Sequence, residues 1–264
     1  MTVRVTLLGT GSSGGVPRIG NIWGNCDPQN PRNRRRRCAA LVQKRQGRGV
    51  TTALIDTPPD IRQQLIDTRV DEIDSLLYTH DHADHTHGID DLRVVSYGMK
   101  RRIPAYCDRA TLTSLTTRFG YCFKPNPGSS YPAILNAHEI GPGDCIDVDG
   151  AGGRIAAIAI GQTHGDIASL GYRIGALAYS PDVSDIPDAS LPLLEGLDVW
   201  IVDALRLHAH PSHFSLRDAL SWIERLKPRR AILTHMTSEL DYATLQRDLP
   251  AGVEPGYDGM TIDL

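Results

Sequence analysis

Within the stretch Thr79–His85, reading THDHADH, the residues His80, His82, Asp84 and His85 form an H-x-H-x-D-H cluster in a chain with ten histidines in all. Neutral imidazoles and a carboxylate are the nitrogen and oxygen donors that suit Zn²⁺, Mn²⁺ or Fe²⁺. No cysteine lies inside the cluster. Closed structural zinc sites use four ligands and often thiolates, whereas a His/Asp set leaves positions for water and substrate, so the composition points to catalysis.

His80 and His82 lie two apart and cannot share a helix face, where neighbours are three or four apart, so they are expected on the loop that follows a strand. Ile73–Thr79 (IDSLLYT) supplies that strand. Three other apolar runs lead to a polar donor. Arg154–Ile160 leads through Gly161, Gln162 and Thr163 to His164, Ala176–Tyr179 leads to Asp182, and Ala231–Leu233 leads to His235. Taken singly, a histidine at a strand end is as readily an ordinary hydrogen-bonded loop residue. Together with the first cluster they make seven candidate ligands, too many for one tetrahedral ion but suited to two with one carboxylate bridging.

These motifs, with the opening Leu7–Gly15 (LLGTGSSGG) and the turn Ile55–Asp60 (IDTPPD), resemble the metallo-β-lactamase fold superfamily of binuclear metallohydrolases over nearly the whole chain. The resemblance implies an α/β fold, a four-layer αββα sandwich of two mixed sheets flanked by helices. It further implies that His80, His82 and His164 hold one metal, that Asp84, His85 and His235 hold the second, and that Asp182 bridges them. A bridging carboxylate is similar to the phosphodiesterase branches. Gly9–Pro17, Thr163–Ile174 and His208–Ser215 look most like the PhnP group, which hydrolyses a five-membered cyclic phosphate of phosphoribose. The tRNA 3′-processing endonucleases, tRNase Z, are similar too. The PhnP group carries a cysteine cluster for an additional structural zinc after its first glycine loop. In this chain Cys26 stands alone in that region before Cys38, beside Trp23, Gly24 and Asn25, so the chain is PhnP-like without that cluster.

Two dications roughly 3.5–4 Å apart would lower the pKa of a bridging water so that hydroxide attacks phosphorus in line near neutral pH. A nearby acid must then protonate the departing oxygen. His208, His210 and His213 are the candidates, unless the three form only a surface-loop cluster. The resemblance favours His213, in Ser212-His213-Phe214, with His210 next; Asp84 is counted as catalytic as well as a ligand. Asp56 and Asp203, each ending an apolar run, are the natural carboxylates to fix the tautomers of ligating imidazoles, or else they cap turns. His87 and His138 are bystanders in this reading.

The elements that must position these groups are legible in outline. Strands are expected near residues 3–8, 38–44 and 51–56, with a helix after Pro59 and alternating strands and helices after His80. Ser215–Leu226 places Leu216, Ala219, Leu220, Ile223 and Leu226 at helical spacing behind Ser215 as a cap. The 264 residues, 41% of them hydrophobic and 22% charged, suffice for one large domain spanning 1–264, and no linker or repeat interrupts them. No signal pattern opens the chain, and no apolar stretch reaches the roughly 20 residues of a membrane span. The cysteines at 26, 38, 107, 122 and 145 fit reduced thiols in a cytoplasmic protein.

Arg32, Arg34, Arg35, Arg36 and Arg37 could form a positive patch for phosphate, with Arg37 and His208 as candidate substrate-phosphate groups, but a solvated face paired with some of the 31 acidic side chains is the slightly favoured reading. The net charge of −3 argues against a dedicated nucleic-acid binder. The expected cofactors are two divalent ions, Zn²⁺ or Mn²⁺, and the expected partner is a small phosphorylated substrate or nucleotide. RNA is a lesser candidate, a homodimer is compatible, and no membrane is expected. The alternatives are a tRNase Z-like endonuclease, a lactonase or thioesterase, and an RNA-binding protein whose metals only hold the fold. The first needs a protruding arm, and Lys124–Tyr131 (KPNPGSSY) is a loop too short to supply one.

Overall fold

Successive side chains of a strand point to opposite faces of its sheet, and central strands such as β2, β3 and β11 bury residues on both, so both faces must be covered. The computed structural model describes residues 2–125 and 127–264, so Asn126 of the Lys124–Tyr131 loop and Met1 lie outside the described residues. One seven-stranded sheet has the order β14-β1-β2-β3-β4-β5-β6, built from β1 (Thr2–Gly9), β2 (Ala39–Gln46), β3 (Gly49–Ile55), β4 (Ser75–Leu77), β5 (Ile103–Cys107), β6 (Leu135–Glu139) and β14 (Thr261–Asp263). The second has the order β13-β12-β11-β10-β9-β8-β7, built from β7 (Cys145–Val148), β8 (Ile155–His164), β9 (Ile167–Ile174), β10 (Leu177–Ser180), β11 (Val199–Asp203), β12 (Arg230–Thr234) and β13 (Val253–Pro255). Both sheets are mixed, with β3, β4, β5 and β6 parallel in the first and β10, β11, β12 and β13 parallel in the second.

Alternate residues of each strand feed different cores. Ala40, Val42, Ala53 and Ile55 meet Tyr172, Tyr179, Val199 and Ile201 between the sheets. Their neighbours Ala39, Leu41 and Leu54 face outward, packed with residues of α1 (Ile61–Thr68), α3 (Leu92–Met99) and α4 (Arg109–Phe123). Trp200 and Val202 of the second sheet pack instead with α5 (Leu216–Leu226) and α6 (Tyr242–Asp248). The remaining helix, α2 (Ala83–Thr86), is a single turn carrying Asp84 and His85. The result is the four-layer αββα sandwich. No helix among the described residues is long and apolar enough to cross a membrane.

Two strands differ from their sequence-based bounds. The strand before His80 shrinks from Ile73–Thr79 to Ser75–Leu77, because Tyr78 N donates to Tyr106 O and Thr79 N is taken by the Asp56 carboxylate. Conversely, β8 does not stop at Ile160: Gly161, Gln162 and Thr163 stay paired with Leu170, Ser169 and Ala168, so His164 is the last residue of the strand. Gly161 is needed there because a Cβ would come within 2.9 Å of Pro142. Helix α5 starts where the spacing places it. Ser215 accepts from Asp218 N while the Asp218 carboxylate accepts from Ser215 N, a reciprocal cap. Replacing Ser215 with Ala is expected to cost about 1 kcal/mol, read as a fall in melting temperature of roughly 2–4 °C; an unchanged melting temperature would remove the cap from the account.

Candidate metal centre

Parallel pairing brings the carboxyl ends of several strands to one edge, and the candidate ligands hang from those ends. His80 follows β4, Asp182 follows β10, His235 follows β12, and His164 closes β8. Asp56 and His235 adopt left-handed backbone conformations, with φ of 65° and 58°. Such geometry costs of order 1–3 kcal/mol in a non-glycine residue and persists where the surroundings enforce it.

Five overlapping groups of donor atoms lie within 4.8 Å of one another among the described residues; two are the expected triads, His80, His82 and His164, and Asp84, His85 and His235, and two others include His213, with His164 and Asp182 and with Asp203 and His235. Asp182 lies between the two expected triads. Its carboxylate oxygens are 3.0 Å from His85 Nε2, 3.3 Å from His235 Nε2, 3.8 Å from His164 Nε2 and 4.0 Å from His80 Nε2. All seven sequence-predicted ligands therefore converge. His80, His85, His164, Asp182 and His235 are buried, Asp84 is half-buried and His82 is exposed.

On His80, His85 and His164 the opposite nitrogen is held by the protein. Asp56 accepts from His85 Nδ1 at 2.8 Å and from the Thr79 hydroxyl at 2.8 Å. With its proton so committed, Thr79 Oγ1 accepts from His80 Nδ1 at 3.0 Å. His164 Nδ1 donates to Ser212 O at 2.5 Å. For His80 and His164 each bond fixes a tautomer with the Nε2 lone pair free, the orientation that metal-ligating histidines require. Asp56 thus has the predicted orienting geometry. Asp203 differs. It accepts from His213 Nδ1 at 2.7 Å and from Val183 N at 3.2 Å, but lies 3.8 Å from His235 Nδ1, so it orients His213 rather than a candidate ligand. Thr79 and Ser212 were not singled out from sequence. Ser212 acts through its carbonyl, which no side-chain pattern reveals.

The donors fit divalent cations on a test independent of the motif. His80 Nε2 and His235 Nε2 are buried with no hydrogen-bond partner, although buried polar atoms are nearly always paired. Charge agrees. Burial pushes His164 down to about 4 and His80 below the ordinary histidine range, so both are neutral near pH 7. Burial also disfavours the charged form of His85, but the carboxylates of Asp182, Asp84 and Asp56 outweigh it and hold that imidazole well above its usual range. Asp182 is held well below the usual carboxylate range by His235, His85 and His80 in spite of its burial.

Beside the triads, His213 stacks on His235 with ring centroids 4.7 Å apart and lies 4.5 Å from His164. His210 is 5.2 Å from His213, and its Nδ1 is taken by Ser212. Burial lowers both. His208 is exposed and belongs to none of these groups among the described residues. Nor does the arginine run form a free patch. Arg37 pairs with Asp60 at 3.0 Å, Arg36 pairs with Asp67 and Asp258, and Arg35 is buried and donates to Thr237 O. Arg32 lies over Tyr242 and Tyr257, and Arg34 over Trp23. The structure therefore brings neither substrate-phosphate candidate, His208 or Arg37, into the centre.

A family model described as a beta-lactamase superfamily domain matches residues 51–236. The chain is 35% identical to a structure described as a new diphosphatase from the PhnP family, with a TM-score of 0.87 over 100% of this chain and 98% of that one. It shares its fold with Zn²⁺-bound PqqB from Methylobacterium extorquens, at 17% identity and a TM-score of 0.74, covering 99% and 100% of the two chains. The same holds for the short form of human tRNase Z, at 19% identity and a TM-score of 0.65, covering 98% of each. A protein of Porphyromonas gingivalis (strain ATCC BAA-308 / W83) named octanoyltransferase is 30% identical over 263 residues, 98% of this chain and 51% of that protein. The chain thus spans about half the length of that curated relative.

Because ligating imidazoles must be neutral, cation uptake has to expel the proton on His85. Titration of Zn²⁺ at pH 7 in buffers of different ionisation enthalpy should show release of roughly one proton for this group, with affinity falling as the pH drops. An apparent enthalpy independent of buffer would contradict this charge assignment.

Proposed function

Because the chain belongs to the beta-lactamase superfamily and, within it, to the PhnP family, we propose that it is a binuclear metal-dependent hydrolase of a small phosphate diester, a cyclic ribose phosphate or nucleotide-like compound. The observation that carries the reading is the position of Asp182 between two complete triads, within 3.0–4.0 Å of a ligand atom on each side. Two divalent cations held there, Zn²⁺ or Mn²⁺, would neutralise charge on the phosphoryl oxygens and bring the ionisation of a water towards neutral pH.

The remaining chemistry falls to side chains. Hydrolysis joins a water oxygen to phosphorus and breaks the bond to the leaving oxygen, which needs a proton. His213 is placed to give it in its doubly protonated form, since the neutral form that burial favours keeps its single proton on Nδ1 toward Asp203. Its Nδ1 is fixed by Asp203 at 2.7 Å, which leaves Nε2 as the working nitrogen, and its stacking on His235 keeps the ring beside the metal-binding groups. Positioning of this kind lets one imidazole act as a general acid without a search for geometry. His210 packs against His213 on the outer side and closes the loop through Ser212.

A second reading, hydrolysis of a diphosphate linkage, draws support from the diphosphatase at 35% identity. It keeps the same phosphorus chemistry with a different leaving group. RNA binding without turnover has less support, since each guanidinium of the Arg32–Arg37 run has a partner within the protein.

The test compares a cyclic ribose phosphate diester, a diphosphate and a 3′-extended pre-tRNA as substrates of Zn²⁺- and Mn²⁺-loaded protein. His213→Ala is expected to lower kcat roughly 10²- to 10⁴-fold with metal content unchanged, and Asp182→Ala to lose both metal and turnover. Turnover of the tRNA alone would replace the small-diester reading, and full activity in His213→Ala would remove its role as the acid.

A further inference from the structure

Helix α4 reaches back to the metal-binding loop through two side chains that the motif does not contain, Arg118 and Ser114. Arg118 Nη2 donates to Asp81 O at 2.6 Å and to Asp81 Oδ2 at 2.7 Å. Ser114, one turn earlier on the same helix, donates to that oxygen at 2.5 Å. Arg118 Nη1 lies 3.3 Å from His87 Nε2. The helix departs from helical geometry at the next residue, Phe119 (φ −126°, ψ 34°), whose ring meets His87 edge-on at 5.4 Å. Asp81 is the residue between His80 and His82.

The position of this contact answers a need that His80, His85 and His164 do not have. His80, His85 and His164 each have a protein group on the nitrogen that faces away from the centre, namely Thr79, Asp56 and the Ser212 carbonyl. His82 is exposed, with Nδ1 3.3 Å from His164 Nε2, and has no orienting partner for its other nitrogen among the described residues. Its placement depends on the backbone that carries it. Thr86 Oγ1 and His85 N hold His82 O at 2.8 and 3.0 Å, and Arg118 holds the preceding carbonyl. The same guanidinium engages the Asp81 carboxylate, which would otherwise be a competing donor one residue from two ligands.

We propose that Arg118, braced by Ser114 and Asp81, is a positioning residue that sets the cation affinity of the His80/His82/His164 site, while leaving the Asp84/His85/His235 site largely unaffected. The proposal rests on reading those triads as metal sites. The ion pair is about a third exposed at both ends, 34% and 35%, so its contribution to global stability is small while its effect on loop geometry is direct. Groups that orient metal ligands typically change affinity 10- to 100-fold when removed.

The experiment is Co²⁺ titration of the metal-free full chain, followed by calorimetry and by the visible spectrum, for wild type, Arg118→Ala, Arg118→Lys, Asp81→Asn and His82→Ala. Expected for Arg118→Ala is one of two binding events weakened roughly 10- to 100-fold, with the spectral change of His82→Ala and the second event retained. Arg118→Lys, which keeps the charge but not the forked geometry, should recover part of the loss. The metal-free melting temperature should stay within about 4 °C of wild type. Two wild-type affinities in Arg118→Ala would overturn the proposal, and so would equal weakening of both events. A wild-type protein that binds no Co²⁺ at the first triad would overturn the metal reading itself, an outcome seen without any substitution.

Discussion

Everything in this structure turns on seven donor groups aimed at one another, five of them buried. Packing imidazoles and carboxylates with their lone pairs convergent and unpartnered is unfavourable in a low-dielectric interior unless a cation completes the set. One close internal pair, His85 Nε2 and Asp182 Oδ1 at 3.0 Å, relieves part of this. Other hydrogen bonds go to the far nitrogens of His85, His80 and His164, through Asp56, Thr79 and the Ser212 carbonyl. Asp182 has the greatest consequence, because its carboxylate faces both triads and its ionisation is enforced by the imidazoles around it.

The two-sheet sandwich supplies that geometry economically. Strands β10, β11 and β12 run parallel, so Asp182, Asp203 and His235 emerge at the same edge, and the parallel β3–β4 pair delivers Asp56 and His80 to the facing edge of the other sheet. Asp203 also distinguishes two imidazoles. By engaging His213 at 2.7 Å and leaving His235 at 3.8 Å, it orients the His213 ring and not that of His235. The left-handed backbone of Asp56 and His235 is the local strain that accompanies so sharp an exit from a strand.

The ligands were legible because their signal is local: a metal donor just after an apolar run needs only the strand and the next few residues. The resemblance of H-x-H-x-D-H, His164, Asp182 and His235 to a known superfamily then ordered them into two sites. Lengths were less legible. The β8 strand continues through Gly161, Gln162 and Thr163 because β9 pairs with it, and no property of those residues alone announces that partner. The arginine run reads from sequence either as a phosphate patch or as a face paired with acidic side chains, and tertiary contacts supply Asp60, Asp67, Asp258, Trp23 and two tyrosines as its partners. Arg118 was invisible for the same reason, since it meets Asp81 across 37 residues of chain.

The most direct measurement is anomalous diffraction at the metal edge from crystals grown with Mn²⁺. The account predicts two peaks per chain, one within coordination distance of His80, His82 and His164 and the other of Asp84, His85 and His235, with Asp182 contacting both. A single peak, or two peaks that Asp182 does not join, would contradict the binuclear centre on which the proposed hydrolysis rests.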